Sequence, residues 1–450
     1  MALAVVLILL VVVTVLFHIL SPWWFTPIAS NWQTVDDTVA VTFWVTGVVF
    51  VLVNLFLAYA VIRYRHRKGS KAQYEPENKK LEWWLTAVTS VGIAAMLAPG
   101  LAVWAKFVTV PEDAAAVEVL GQQWNWSYRF PGSDGELGKT NTRLVTLNNP
   151  FGMDPNDPVG QDDVLVASPQ LHLPIDKPVK LLLRAQDVNH QFAVPQFRVK
   201  MDMVPGMVTY FWLTPTRLGE FDALCEQLCG LAHFIMRGRV VVTEQDKFDE
   251  WFAAQPTFAQ AQAETAGDPK IGQGLYATCS TCHGAQAEGN RDLNAPKLSG
   301  QAGWYLVRQL QNFKRGLRGA HEDDTFGKQM VPMAAMLTDD AAIRNVVAYI
   351  TSLPEVRPKA TVLGNPDKGA PIYATCAACH GANGQGIWST RAPRLANMSD
   401  WYMQRQLTNF RDGIRGSHRE NFESAQMAAM AKILTDDQAI TDLLDYMHTL

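Results

Sequence analysis

CEQLCGLAHFIM, residues 225–236, brings two cysteines, a histidine and a methionine into one short stretch. Soft thiolate and thioether sulfurs, combined with an imidazole nitrogen, select copper over hard cations. Zinc also binds Cys and His side chains, but a methionine in the set argues against zinc. The stretch therefore predicts a copper site, with zinc as the structural alternative. Its side-chain ligands would be Cys225, Cys229, His233 and Met236.

The composition of the chain limits its class. Its 450 residues should form about three domains, at roughly 150 residues each. A net charge of −4 with 18% charged residues leaves no basic excess, which argues against a nucleic-acid partner. The six cysteines form three close pairs. Local disulfides would explain this pairing, but a histidine beside each pair favours metal or haem chemistry.

Three long apolar stretches occur near the N-terminus, at about 2–20, 38–62 and 83–106. Each is long enough to cross about 30 Å of hydrocarbon as a helix. The first stretch could instead be a signal peptide, but it lacks a basic start and a small-residue cleavage site. We therefore expect a retained N-terminal helix followed by a helical hairpin at 38–106.

The loop of this hairpin, 63–81, sets the orientation of the chain. RYRHRKGSKAQYEPENKK (63–80) carries seven Lys or Arg residues, whereas residues 1–62 carry none. The positive-inside rule places this loop in the cytoplasm. All residues after 106 then lie on the opposite side of the membrane, which in a bacterium is the periplasm. The prediction is a lipid-embedded anchor in the bacterial inner membrane.

The remainder divides into a β-rich part and a repeat. Short β-prone runs between turn signals at 115–250 predict an antiparallel sandwich or barrel, and the Ala- and Gln-rich stretch at 253–266 reads as a linker. YATCSTCHGA (276–285) then matches YATCAACHGA (373–382). WYLVRQLQNFKRGLRGAH and WYMQRQLTNFRDGIRGSH match at the same offset of 97 residues. The repeat predicts two related domains, 267–354 and 362–450.

Each copy of the repeat should end in a helix that starts at Thr338 or Thr435. A threonine N-cap followed by acidic first-turn residues suits a helix N-terminus. Apolar residues then recur at helical spacing and predict one buried face in each helix. These residues are Ile343, Val346, Val347 and Ile350 in the first copy, and Ile440, Leu443, Leu444 and Met447 in the second.

Both copies contain Cys-x-x-Cys-His, the attachment pattern of c-type haem. Two thiols one helical turn apart can bond both vinyl groups of one porphyrin, and the adjoining histidine then lies under the iron. A thioredoxin-like redox pair and half a zinc site are the alternatives, but two gap-free copies with the histidine favour haem. The predicted attachment residues are Cys279, Cys282 and His283, and Cys376, Cys379 and His380.

The sixth iron ligand should come later in each copy, where three pairs fit the offset: Met330 with Met427, Met333 with Met430, and His321 with His418. Thioether ligation raises the potential of a c haem. Each copy resembles the class I cytochromes c, especially small bacterial dihaem proteins, whose axial methionine lies just before the final helix. That resemblance favours Met330 and Met427. It also implies that the carbonyls of Pro296 and Pro393 orient the haem histidines.

The CEQLCGLAHFIM stretch resembles the Cys-x-Glu-x-Cys-Gly-x-x-His-x-x-Met loop of subunit II of cytochrome c oxidases, which holds the dinuclear CuA centre. Three further stretches are similar to that family: DVNHQFAVPQFRVKMDMVPG (187–206), GQQWNWSYRF (121–130) and KLEWWLT (80–86). The resemblance covers about residues 35–250 and its motifs are specific. It implies a cupredoxin-like β domain, and thus a multi-domain α+β chain with a transmembrane anchor and two all-α cytochrome domains.

The resemblance implies a full set of copper ligands: His190, Cys225, Cys229, His233 and Met236, with the backbone carbonyl of Gln227. The family has Glu where this chain has Gln227. A carbonyl ligand is indifferent to its side chain, so the copper should be retained. In the family that Glu also reaches a Mg ion at the interface with subunit I, and the Mg site is therefore in doubt here.

Two further residues match functional positions of the family. Trp124 matches the tryptophan at which electrons enter, although Asn125 replaces a neighbouring tyrosine. Glu82 matches the glutamate at the mouth of a proton path into subunit I; a snorkelling interfacial residue is the alternative. The resemblance implies no catalytic residue in this chain, because oxygen is reduced in the partner subunit.

The expected function is electron transfer from a periplasmic donor through two c haems to CuA and on to subunit I of a proton-pumping cytochrome c oxidase. The expected partners are subunits I and III, membrane lipids, and a donor that is either a cytochrome c or a bc-type complex. Two other functions remain open. They are the CuA subunit of a nitric oxide reductase and a membrane-tethered electron carrier without a catalytic partner.

Overall fold

The computed structural model describes residues 2–21, 26–69, 71, 76–146, 149–166, 168–230, 232–263, 267–388, 390–418 and 420–450. Its first part consists of three helices, α1 (Ala2–Leu20), α2 (Gln33–Arg63) and α3 (Lys79–Val108). All three are long and apolar enough to cross a membrane, and most of their large apolar side chains are exposed. Such exposure is unfavourable in water and favourable in lipid. The three predicted spans thus correspond to three helices.

The predicted cytoplasmic loop, 63–81, joins α2 to α3, and its residues 70 and 72–75 lie outside the described residues. At the opposite end of the hairpin the helices contact the β-rich part of the chain. Arg198 forms an ion pair with Asp36 at 2.6 Å, and the indole of Trp212 donates a hydrogen bond to the carbonyl of Lys106 at 3.1 Å. These contacts fix the β-rich part against the membrane anchor.

The β-rich part is a sandwich of two five-stranded sheets. One sheet has the order β3-β2-β1-β5-β8 and the other β4-β10-β9-β6-β7. The strands are β1 (Ala115–Gln122), β2 (Asn125–Phe130), β3 (Val164–Val166), β4 (Gln170–Pro174), β5 (Val179–Ala185), β6 (His190–Val194), β7 (Val199–Met203), β8 (Thr209–Leu213), β9 (Gly219–Cys225) and β10 (Arg237–Thr243). This confirms the predicted cupredoxin-like sandwich. Most pairs are antiparallel, but β1 with β5 and β4 with β10 run parallel.

The core of the sandwich lies between the two sheets. Trp126, Tyr128, Phe192 and Phe211 are all fully buried there. Beside β1 and β3, a second apolar cluster includes Phe258, which belongs to the predicted linker. The linker region contains the short helix α5 (Phe258–Ala263), after α4 (Gln245–Ala253), while residues 264–266 lie outside the described residues. The first half of the linker is therefore attached to the β domain.

A buried ionic cluster joins the strands β1, β2 and β5. Arg129, 4% exposed, donates to Glu118 at 2.6 Å and to Asp163 at 2.8 Å. Arg184 also contacts Glu118. Buried ions require partners of opposite charge, because removing one partner leaves an uncompensated charge away from water.

The repeat forms two helical units with the same order of helices. The first unit contains α6 (Pro269–His283), α7 (Gly303–Lys314), α8 (Thr325–Ala335) and α9 (Asp340–Ser352), and the second contains α10 (Pro366–His380), α11 (Asp400–Arg411), α12 (Phe422–Ala431) and α13 (Asp437–Thr449). In each unit the first and last helices pack closely together. At the crossing, a Cβ on Gly272 would lie 1.9 Å from the carbonyl oxygen of Asn345, and one on Gly369 would lie 2.1 Å from that of Asp442.

The apolar faces predicted for the two final helices, α9 and α13, are buried as expected. The predicted threonine caps are wrong by one residue. The N-caps are Asp339 and Asp436, whose carboxylates accept hydrogen bonds from the main-chain N–H groups of Ala342 and Ala439, each at 2.8 Å. Aspartate caps a helix as well as threonine does and also carries the charge that the helix dipole favours.

Replacing Glu118 by alanine tests the buried cluster. We expect Glu118→Ala to lower the free energy of unfolding of the β domain by about 3 kcal/mol, because Arg129 would lose a partner while remaining buried. Glu250→Ala is the control, since Glu250 pairs with Lys247 on the surface, where solvent screens the ion pair. Urea unfolding of the full chain in detergent measures both. Equal losses in the two variants would contradict the prediction.

Candidate metal and haem centres

The predicted copper loop lies between the end of β9 and the start of β10. The N–H of Cys225 donates to the carbonyl of Met236 at 3.2 Å and closes the loop. Gly230 has a φ of 120°, and a Cβ there would come within 2.8 Å of Gln123 and 3.0 Å of Trp124. Glycine at this position thus allows the loop to pass against the β1–β2 connection.

The loop and the start of β6 bring all the predicted copper ligands together. The Sγ atoms of Cys225 and Cys229 lie 3.7 Å apart. The Sγ atom of Cys225 lies 3.9 Å from Nδ1 of His190 and 3.2 Å from the carbonyl oxygen of Gln227. The Sγ atom of Cys229 lies 3.4 Å from Nδ1 of His233 and 3.7 Å from Sδ of Met236. The two central sulfurs, with three further side chains and one carbonyl around them, make six potential ligands and exceed the four of a structural zinc ion.

The same distances address the disulfide alternative. A disulfide needs an S–S distance near 2.05 Å, whereas Cys225 and Cys229 are free and 3.7 Å apart. The other four cysteines are also free. All six sulfurs of the chain are therefore available to bind a metal or a haem.

The surroundings of the copper loop shift the pKa values of its two thiols in opposite directions. Burial opposes ionisation, but hydrogen bonds from His190 and the main chain lower the pKa of Cys225 to about 6. Burial and the neighbouring Cys225 charge instead raise the pKa of Cys229 to about 12. Asp187 accepts a hydrogen bond from Nε2 of His190 at 2.8 Å, and this directs Nδ1 at the sulfurs.

The two Cys-x-x-Cys-His motifs each end the first helix of a helical unit. His283 Nδ1 lies 2.8 Å from the carbonyl oxygen of Pro296, and His380 Nδ1 lies 2.8 Å from that of Pro393. These are the two carbonyls that the family resemblance implied. The bond fixes each buried ring and leaves its Nε2 to face the adjoining cavity. The motif cysteines line the same two cavities.

In each unit, both methionine candidates for the sixth iron ligand line the haem cavity. They are Met330 and Met333 in the first unit, and Met427 and Met430 in the second. Met430 also packs against the core of the β domain, which favours Met427. The histidine alternatives take part in local turns, since Nδ1 of His321 accepts from the N–H of Asp323 and Nδ1 of His418 from that of Glu420. Neither histidine is among the residues that line the cavities.

Two arginines between the haem cavities, Arg415 buried and Arg318 partly buried, were missed by the sequence analysis. Arg318 donates to the hydroxyl of Tyr402 at 2.7 Å, and Arg415 donates to the hydroxyl of Tyr305 at 3.2 Å. The two pairs are related by the same offset of 97 residues. Their arginines occupy matching positions in KRGLRG and RDGIRG, and this repetition was the signal available in the sequence.

These two guanidiniums lack full compensation. The Nε atoms of Arg318 and Arg415 have no hydrogen-bond partner within the described part of the chain. Burial, followed by the charge of Arg318, lowers the pKa of Arg415. A haem carries two propionate carboxylates, and buried cations of this kind suit them. The cavities therefore fit haem in both donor set and charge.

The two remaining predicted residues, Trp124 and Glu82, differ in their relation to these sites. Trp124 is 6% exposed, and its indole Nε1 donates to the carbonyl of Cys229 at 3.1 Å. Glu82 is exposed in the first turn of α3, and its carboxylate accepts from the N–H of Asn78 at 3.3 Å. Trp124 thus contacts the copper loop directly, whereas the observed contact of Glu82 is with the start of its own helix.

Comparisons with known proteins divide the chain in the same way. Residues 115–245 match the family model described as cytochrome c oxidase subunit II, periplasmic domain, and residues 269–354 and 366–450 match cytochrome c. The alternative cytochrome c oxidase subunit 2 of Bradyrhizobium diazoefficiens is 57% identical over 266 residues, which cover 59% of this chain and 96% of that relative.

Cytochrome c4 of Azotobacter vinelandii is 34% identical over 199 residues, covering 41% of this chain and 92% of that protein. The crystal structure of reduced recombinant cytochrome c4 from Pseudomonas stutzeri is 29% identical, covers 41% of this chain and 100% of that one, and gives a TM-score of 0.34.

The helices, the sandwich and the two haem-type units define a membrane-anchored electron-transport protein whose domains imply copper and haem c. Because it matches nearly the whole Bradyrhizobium relative at 57% identity, the chain belongs to the cytochrome c oxidase subunit II family, with cytochrome c domains at its C-terminal end. It is accordingly part of an oxidoreductase complex with subunit I.

The copper ligands can be tested separately. We expect Gln227→Ala to retain copper, because the predicted ligand at this position is a main-chain carbonyl. We expect Cys229→Ser to lose the mixed-valence copper signal, because a hydroxyl is a poor bridge between coppers. Copper analysis and EPR of the full chain measure both. Loss of copper in the Gln227→Ala protein would contradict the assignment of that ligand.

The axial methionines can be distinguished by potential. We expect Met330→Leu to lower the midpoint potential of one haem by on the order of 0.1 V, since axial ligands move haem potentials over about 0.8 V. Met333→Leu is the matched control and should leave both potentials in place. An optical redox titration measures the shift. A larger shift in the control would reverse the assignment.

Proposed function

We propose that this chain is the subunit through which electrons enter a terminal respiratory cytochrome c oxidase. A periplasmic donor, either a cytochrome c or a bc-type complex, supplies electrons to two covalently bound c haems. The electrons pass to a dinuclear CuA centre and then to the oxygen-reducing site of subunit I. The observation that carries this proposal is the cluster of His190, His233, Met236 and one carbonyl around the paired sulfurs of Cys225 and Cys229.

The residues of this chain hold the centres, and the chain supplies no catalytic group. The copper ligands are His190, Cys225, Gln227 through its carbonyl, Cys229, His233 and Met236. The haem ligands are Cys279, Cys282, His283 and Met330 in the first unit, and Cys376, Cys379, His380 and Met427 in the second. When bound, the copper pair and the two haems accept and release single electrons. Asp187, Pro296 and Pro393 keep the imidazoles oriented, so that little rearranges during transfer.

The anchor determines where this chemistry takes place. The basic loop at 63–81 lies in the cytoplasm, and the copper and haem units lie in the periplasm, beyond the bacterial inner membrane. The domains are the N-terminal helix 2–20, the hairpin 38–106, the CuA domain 115–250, the linker 253–266 and the cytochrome domains 267–354 and 362–450. Subunit I and subunit III surround the three helices together with lipid.

Three assignments rest on the family resemblance. Trp124 conducts electrons into the copper centre, which its hydrogen bond to the carbonyl of Cys229 supports. Glu82 stands at the entrance of a proton path into subunit I. A Mg ion at the subunit I interface would have to bind without the family's Glu carboxylate, because position 227 is a glutamine.

Purification of the intact complex tests the proposal. Gentle detergent extraction should yield this chain together with a polytopic haem- and copper-containing protein, and the complex should consume oxygen with reduced c-type haems as electron source. Nitric oxide consumption without oxygen consumption would instead indicate a nitric oxide reductase. Recovery of this chain alone, active only as a carrier, would contradict an oxidase role.

A further inference from the structure

The second helical unit packs directly on the copper-binding β domain. Ala378, Cys379 and Met430 contact the β-domain core. Gln426 Nε2 donates to the carbonyl of Trp124 at 3.5 Å, and the guanidinium of Arg239 lies 5.7 Å from the ring centroid of Phe422. One attachment residue of the second haem site, Cys379, is therefore part of an interface with the β domain.

Trp124, in the connection between β1 and β2, borders both sites at this interface. Its indole donates to the carbonyl of Cys229 in the copper loop, and the same residue lines the cavity that contains Cys379 and His380. With an exposed fraction of 6%, Trp124 leaves little surface for a soluble donor. A single residue thus separates the copper ligands from the second haem site.

Among the described residues, the equivalent face of the first helical unit does not make these contacts with the β domain. Cys282 is exposed, whereas its equivalent Cys379 is half-buried. Leu293 is 49% exposed, whereas the equivalent Thr390 is 7% exposed. Two units with the same sequence pattern therefore differ in what covers their haem attachment face.

The two haem cavities also share a wall. Six residues line both cavities: Gln301, Tyr305, Gln309, Met398, Tyr402 and Gln406. The first site consequently adjoins the second, and the second adjoins the copper loop through Trp124.

We infer that the three sites work in a fixed order, in which the external donor meets the first cytochrome unit at the exposed face around Cys282, and the unit containing Cys379 alone delivers electrons to the copper site. This order rests on the proposed function. Each transfer moves one electron and breaks no bond. The ferrous iron at His380 is oxidised to ferric as the copper pair gains one electron.

Because the two cytochrome units are repeats, either haem can be removed by equivalent substitutions. The test uses the full chain within its complex. In the oxidised protein, a nearby ferric haem speeds the spin relaxation of the mixed-valence copper signal in EPR. Removing the second haem by Cys376→Ser with Cys379→Ser should abolish this faster relaxation. Removing the first haem by Cys279→Ser with Cys282→Ser should preserve it. The opposite result, or equal relaxation in both variants, would overturn the order.

A milder pair of variants keeps both haems in place. Gln426→Glu puts a carboxylate against the carbonyl of Trp124, and Gln329→Glu makes the same change at the exposed equivalent position. Reduction of copper by the second haem in stopped-flow should slow in Gln426→Glu and stay unchanged in Gln329→Glu; equal rates would contradict the order. Absence of a copper signal or of c-haem spectra in the unaltered chain would instead contradict the proposed function itself.

Discussion

The separation of 3.7 Å between the sulfurs of Cys225 and Cys229 is the constraint on which the candidate copper centre depends. At that distance two thiols cannot bond each other, yet they can share bound cations. The closure of the loop by the Cys225–Met236 hydrogen bond and the close passage of Gly230 past Trp124 maintain the separation. The sandwich behind the loop supplies the rigidity that a site with several soft ligands needs.

The haem-type units solve a different physical problem. Each must bury a group that is largely apolar but carries two carboxylates, and the chain places buried guanidiniums and tyrosine hydroxyls between the two cavities. Because the pairs Arg318–Tyr402 and Arg415–Tyr305 cross from one unit to the other, the same contacts also hold the units together. Charge compensation and domain assembly are thus carried by one set of residues.

Much of this arrangement could be predicted from sequence, because cofactor ligands depend on local spacing. The Cys-x-x-Cys-His motifs, the copper loop, the three apolar helices and the buried faces of α9 and α13 are all local patterns, and the structure has the corresponding elements. The threonine caps were misjudged by one residue, since an aspartate beside a threonine caps equally well. The parallel pairing of β1 with β5, the ionic cluster at Arg129 and the arginine pair between the cavities depend on contacts between distant segments, which periodicity does not encode.

The burial of Phe258 has a consequence for how firmly the cytochrome units must bind. Because α5 is attached to the β domain and α6 begins at Pro269, the chain from Ala263 to Pro269 can span at most roughly 20 Å. A short tether keeps a fused partner at a local concentration in about the millimolar range. An interface of a few side chains is sufficient under these conditions to keep the cytochrome units against the β domain.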